Sequence, residues 1–193
     1  MKLNKVNWNK RYEEKKIGWD IGKISNPIKE YINQLKKKNC KILIPGCGNA
    51  YEADYLVQKK YTDITLLDFS EIALKNFKKR NPGFPQQKLL NINFFDLNGK
   101  YDLIIEQTFF CAIEKKYRKK YARKMHNLLE ENGKLVGLLF NEKLNNDKPP
   151  FGGNKNEYLS YFKPFFEIKV FERAYNSIGA RENRELFMIL IKK

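Results

Sequence analysis

Short apolar runs alternate with segments of helical spacing along most of the chain, the pattern of strand and helix units wound around a largely parallel sheet. Residues 41–44, ended by Pro45-Gly46, form one compact run, and residues 64–67, ended by Asp68, form a second. Both read as buried strands. Between them residues 51–57 carry apolar positions at helical spacing, and residues 71–77 repeat the pattern behind Ser70, a good helix N-cap. Residues 88–92 and 101–105 read as the third and fourth strands. Residues 117–129 form a basic amphipathic pattern that predicts a helix stopped at Asn132-Gly133, followed by a strand over 134–140. Residues 166–171 and 186–191 bring the strand count to seven, and the short turn-rich stretch between them predicts an antiparallel hairpin. The expected architecture is α/β: a mostly parallel seven-stranded sheet with a C-terminal antiparallel hairpin and helices on both faces.

Composition changes this picture little. The 193 residues fit one domain, and 42% apolar residues can fill an ordinary core. With 38 Lys and Arg against 22 Asp and Glu, the net charge of +16 makes nucleic acid the first partner to weigh. The cations fall, however, in short groups at 36–38, 78–80, 115–116 and 119–120, positions expected at helix ends and faces. That scatter fits a general lysine bias, so nucleic acid is not the expected partner. No apolar stretch reaches the ~18 to 20 residues of a membrane span, and residues 1–5 lack the apolar core of a signal peptide. A soluble, cytoplasmic monomer is expected. Cys40, Cys47 and Cys111 match neither a disulfide framework nor a metal knuckle, and His126 is the sole histidine. The chemistry is therefore expected to need neither histidine nor a transition metal.

The candidate chemistry sits where the first strand runs through Gly46-Cys47-Gly48 into a helix, with Asp68 ending the next strand 20 positions beyond Gly48. Glycines there let a ligand approach the backbone at the carboxyl end of the strand, and the acid is placed to accept from ribose hydroxyls. A pyrophosphate site would want a third glycine, where Tyr51 stands. A nucleoside ligand without phosphates fits better, and S-adenosylmethionine is the common one. Ahead of the first strand, Trp8, Arg11, Tyr12, Trp19 and Asp20 make an aromatic arm containing both tryptophans of the chain. Such an arm caps either a sheet edge or a ligand.

Taken in order, residues 45–50, Asp68-Phe69-Ser70, residues 93–97 and 101–104, Phe110-Cys111-Ala112-Ile113 with Arg118 and Tyr121, and Pro149-Pro150-Phe151 resemble the thiopurine S-methyltransferase family. That family includes the halide, thiocyanate and thiol methyltransferases. The resemblance runs from Trp8 to the C-terminus. It implies a class I, Rossmann-like methyltransferase forming a single domain over 1–193, with 1–38 an arm or lid followed by a helix, and S-adenosylmethionine as cofactor. It further implies that Gly46 contacts the methionine end and Gly48 allows close approach. Asp68, followed by Phe69, holds the ribose, and Asn93 and Phe94 line the adenine. Trp8, Tyr12 and Trp19 close over the cofactor, and aromatic faces suit a sulfonium. Tyr12 stands where the halide and thiol branch is expected to carry tryptophan, and Gln107 where a tyrosine is expected in the lining.

On the acceptor side the resemblance places Arg118, with Arg181 a second cation able to lower a thiol's pKa. Glu106 is a candidate to orient substrate or accept a proton, and Pro149-Pro150-Phe151-Gly152-Gly153 is suited to form a stiff wall. Cys111 reads as packing, since an activated methyl donor makes a covalent enzyme intermediate unnecessary. The implied reaction is in-line methyl transfer to a small soft nucleophile: a thiol, hydrosulfide, thiocyanate, halide or thiopurine-like sulfur. The alternatives are a methyltransferase for RNA, DNA or protein, and a non-catalytic cofactor-binding protein. Against the first, no Asn-Pro-Pro-Tyr type signature follows the fourth strand, where Glu106-Gln107-Thr108-Phe109 stands.

Overall fold

A computed structural model describes residues 5–193, with side chains from residue 7 onward. Residues 1–4, which carry most of the expectation about a signal peptide, lie outside the described residues. The chain divides into two compact units, residues 1–97 and 98–193.

The first unit contains α1 (Lys5–Glu13), α2 (Asn26–Gln34), β1 (Ile42–Pro45), α3 (Tyr51–Gln58), β2 (Ile64–Leu67), α4 (Glu71–Arg80) and β3 (Leu89–Leu90). β2 lies between β1 and β3 and is parallel to both, pairing Ile42 with Ile64 and Leu66 with Leu89. Every residue of β1 and β2 is buried, as expected for parallel strands covered on both faces. α2 carries Pro27 in its first turn and buries Pro27, Ile28, Tyr31 and Ile32 along one stripe. Ser70 caps α4 as its position predicts, its Oγ accepting from the Ala73 N–H at 3.3 Å. The third strand is shorter than the expected 88–92. Lys88 closes a 3-10 turn, and Asn91 leaves the ladder to donate its side-chain amide to the carbonyls of Asp68 and Phe69, each at 2.9 Å.

The second unit contains β4 (Tyr101–Gln107), α5 (Arg118–Leu128), β5 (Leu129–Phe140), α6 (Lys155–Phe162), β6 (Phe166–Arg173) and β7 (Glu185–Lys192). β5 is parallel to β4, and β7 is antiparallel to both β5 and β6, which bears out the expected C-terminal antiparallel pair. The helix stop differs from expectation. α5 ends at Leu128 and the chain enters β5 at once, because Leu128 and Leu129 are both buried and Leu129 turns to extended backbone. Asn132 (φ +62°) and Gly133 lie instead in an excursion within β5, where the pairing jumps from Tyr101–Leu129 to Leu103–Lys134. α6, absent from the sequence reading, is capped by Asn154 accepting from the Glu157 N–H. Its Tyr158 and Phe162 pack on Phe110, with ring centroids 5.2 and 5.8 Å away.

Along the sheet the strand order is β3-β2-β1-β4-β5-β7-β6, seven strands with antiparallel pairing confined to the C-terminal end. No helix among the described residues is long and apolar enough to cross a membrane.

Candidate functional site

In the first unit the loop after β1 is shaped by three left-handed residues, Gly46 (φ +58°), Gly48 (φ +54°) and Ala50 (φ +58°). The glycines take this conformation without steric penalty. The Cys47 N–H donates to Leu67 O at 3.0 Å, so the loop is fastened to the end of β2, where Asp68 follows. One Asp68 oxygen accepts the Gly48 N–H at 2.8 Å and the other accepts the Ser70 N–H at 2.7 Å. A carboxylate oxygen takes more than one donor, so acceptor capacity remains for a ligand hydroxyl. Burial raises the Asp68 carboxyl to about 6, against the opposing pull of these backbone donors.

The arm meets the same loop. A Cβ built on Gly48 would lie 3.0 Å from the Tyr12 hydroxyl, so a side chain there would push the tyrosine away. Trp19 stands edge-on to Trp8 and to Tyr12, with centroids 5.4 and 5.9 Å apart, and the Arg11 guanidinium lies 5.1 Å from the Trp8 ring centroid. Ser70 Oγ donates to Asn9 Oδ1 at 2.8 Å, tying α1 to the end of β2. Beyond β3, the Asn93 side-chain oxygen accepts from the Phe95 N–H and caps a 3-10 turn. Phe94 is buried, while Phe69 stays partly exposed. The structure thus gathers Trp8, Tyr12, Trp19, Gly46, Gly48 and Asp68 about one loop. Sequence reasoning missed Asn91, whose side chain braces the backbone of Asp68 and Phe69. It carried no motif of its own.

In the second unit β4 ends at Gln107, which is partly exposed, and Thr108 follows at φ +56°. A β-branched residue is strained in that region, so the turn needs outside support. Glu106 supplies it. It is wholly buried; one carboxylate oxygen accepts the N–H groups of Phe109 and Phe110 at 2.8 and 2.9 Å, and the other accepts the Tyr121 hydroxyl. Burial raises its carboxyl to about 7. The proton it retains above the ordinary 4.5 makes the native state lose stability as pH rises from about 4.5 to 7, on the order of 3 kcal/mol. Glu106→Gln keeps an acceptor for the two N–H groups and removes the titration. The thermal midpoint of the wild type is expected to fall between pH 5 and 7.5 relative to the variant; parallel curves would disprove the assignment. Cys111, with its thiol donating to Thr108 O at 3.1 Å and pushed up to about 12 by burial, is a packing residue here.

Arg118 is also wholly buried. Nη1 donates to Gly152 O and to Glu157 Oε1, both at 3.0 Å, and Nη2 donates to Phe151 O at 2.9 Å. The guanidinium lies 4.6 Å from the Phe110 ring centroid, and its Nε is buried with no hydrogen-bond partner. This arginine therefore clamps the loop containing Pro149, Pro150 and Phe151, whose Phe151 N–H also reaches Cys111 O at 2.7 Å. A Cβ on Gly152 would meet Glu142 O at 2.2 Å, so the loop closes against backbone. Arg181 pairs with buried Glu185 at 3.3 Å, and Ser177 Oγ donates to the other Glu185 oxygen.

A family model described as Thiopurine S-methyltransferase (TPMT) matches residues 3–188. The chain is 29% identical over 185 residues to Probable thiol methyltransferase 2 of Arabidopsis thaliana, covering 92% of this chain and 81% of that protein. It is 26% identical over 185 residues to Thiocyanate methyltransferase 1 of Brassica oleracea, with the same coverage of each. Among solved structures, the 1,6-didemethyltoxoflavin-N1-methyltransferase of Burkholderia thailandensis superposes with a TM-score of 0.79 at 13% identity, covering 98% of this chain and 87% of that one. Strand order, glycine loop and family match agree: the chain belongs to the thiopurine S-methyltransferase family and is a class I S-adenosylmethionine-dependent methyltransferase.

Proposed function

We propose that the protein transfers a methyl group from S-adenosylmethionine to a small soft nucleophile, a thiol, hydrosulfide, thiocyanate, halide or thiopurine-like sulfur. The observation that carries this reading is the constellation of Gly46, Gly48 and Asp68 within the matched family region, beside relatives named for thiol and thiocyanate acceptors. The fit rests on two features: the close approach of the Tyr12 hydroxyl to Gly48, which brings the aromatic arm onto the glycine loop, and the acceptor capacity left on Asp68.

When bound, the cofactor supplies an activated methyl group on a sulfonium. In this proposal Asp68 accepts from the ribose hydroxyls, Gly46 and Gly48 let the methionine end approach the backbone, and Phe69, Asn93 and Phe94 flank the adenine. Trp8, Tyr12 and Trp19 offer aromatic faces to the positive centre and exclude water. Gln107 lines the cofactor from the end of β4. Arg118 and Glu106 act on the acceptor side by holding the turn after β4 and the Pro-Pro-Phe loop in shape, and Arg181 supplies a further cation. Displacement at carbon asks for alignment, dryness and a free lone pair, and these residues offer the first two.

The protein is proposed to act as one domain over 1–193 with 1–38 as its arm and following helix, as a monomer in the cytoplasm. The three cysteines, all buried and reduced, suit a reducing compartment. Some of its cations sit on helix faces in ion pairs, such as Lys75 with Glu71 and Arg80 with Asp54, and the basic residues fall in short separate groups along the chain, which favours a small acceptor over nucleic acid. Calorimetric titration with S-adenosylmethionine tests the cofactor half of the proposal. Saturable binding is expected, and no heat of binding at millimolar cofactor would refute it.

A further inference from the structure

We infer that Asp20 is a positioning residue that latches the aromatic arm onto the glycine loop, an inference that rests on the proposed role of that arm in holding the cofactor. α1 carries Trp8 and Tyr12 and is fastened by its own contact to Ser70, but Trp19 lies on the turn that follows α1. There the Asp20 N–H donates to Ile17 O at 2.8 Å, and Asp20 Oδ1 accepts the Gly22 N–H at 2.7 Å, which sets the carboxylate's direction. Its other oxygen, Oδ2, reaches out of the arm and accepts from the Asn49 side-chain amide and from the Tyr51 hydroxyl, the latter at 3.4 Å. Asn49 and Tyr51 flank Ala50 at the end of the glycine loop.

The receiving side is held rigid. Asn49 Oδ1 accepts from the Asn76 amide at 3.0 Å, so the Asn49 oxygen is committed to α4 and its NH2 must face Asp20. Arg80 donates to Asn49 O, pairs with Asp54 at 2.8 Å and lies 5.1 Å from the Tyr51 ring centroid. A charge-assisted hydrogen bond to so constrained a donor is stronger than a neutral one and specific in geometry. Asp20, Asn49 and Asn76 thus form a chain from the arm through the glycine loop to α4. Losing its first link lowers the population of the arm conformation that closes on the loop, and apparent cofactor affinity falls by the same fraction.

Both tryptophans of the chain lie in the arm, so their fluorescence reports on it directly. In the ligand-free protein, Asp20→Ala and Asn49→Ala are each expected to raise acrylamide quenching and lower tryptophan anisotropy. The double variant should be no worse than the more affected single one. Each single variant is expected to weaken S-adenosylmethionine binding about tenfold, the scale of one charge-assisted hydrogen bond. Asp20→Asn has one acceptor oxygen for the Gly22 and Asn49 donors and no charge, so it should lie between the wild type and Asp20→Ala in both quenching and affinity. Unchanged quenching in both alanine variants would overturn the latch. So would an Asp20→Asn variant with wild-type quenching but the affinity loss of Asp20→Ala, which would mean that the charge meets the cofactor directly. Should the wild type itself bind no cofactor, the cofactor reading fails alone, and the quenching comparison still decides whether the latch exists.

Discussion

Arg118→Ala is expected to lower the unfolding free energy by about 3–5 kcal/mol, the scale for truncating a large buried side chain and leaving buried carbonyls without donors. The wild-type guanidinium satisfies two loop carbonyls and the Glu157 carboxylate while stacked on Phe110. Its removal strands Gly152 O and Phe151 O without donors and leaves a cavity beside Phe110 and Tyr158. Arg118→Lys retains the charge but cannot span three acceptors with a planar fork, so it should recover little of the loss. Denaturant unfolding of the three proteins measures this. The variants also separate a clamp from a cation that meets the acceptor. If Arg118→Ala stays as stable as the wild type and only the acceptor KM rises, with recovery in Arg118→Lys, then the charge acts on the substrate.

Asp68→Ala is expected to weaken cofactor binding by roughly 1–3 kcal/mol, as for losing hydrogen bonds to a buried charged acceptor. Part of that loss comes through the loop, since the Gly48 and Ser70 N–H groups lose their partner as well. The pH dependence isolates the carboxylate. Because burial raises Asp68 to about 6, the wild type should bind cofactor more weakly as pH falls through 6, where the carboxyl gains a proton and loses acceptor capacity. The alanine variant should lack that dependence. Unchanged affinity in Asp68→Ala would remove this residue from the site.

What the sequence made legible was local. The apolar runs of β1 and β2, the Ser70 cap and the Gly46, Gly48 and Asp68 spacing each depend on neighbours within a few positions or on one strand-to-strand step. Residues whose roles are set by distant partners were not readable. Arg118 matched a family position, yet the backbone it grips lies 33 and 34 residues away, and nothing in its own helix predicts that. Asp20 and Asn49 are 29 residues apart and unremarkable alone. Asn132-Gly133 carries an ordinary helix-stop signal, but burial of Leu129 ends α5 first and leaves the pair inside β5. The Pro-rich stretch concealed α6 behind it, whose capping Asn154 follows two glycines.

The net charge of +16, first a pointer to nucleic acid, acts in the proposed function as a general attraction for small anions such as thiolates and halides. Methyl transfer itself decides between these readings. The purified protein should be incubated with methyl-labelled S-adenosylmethionine and, in parallel, a small thiol, hydrosulfide, thiocyanate, iodide, a structured RNA and a mixed protein extract. Label is expected in one or more of the small volatile or soluble methyl products and none in the macromolecules; label appearing only in RNA or protein would contradict the proposed small acceptor.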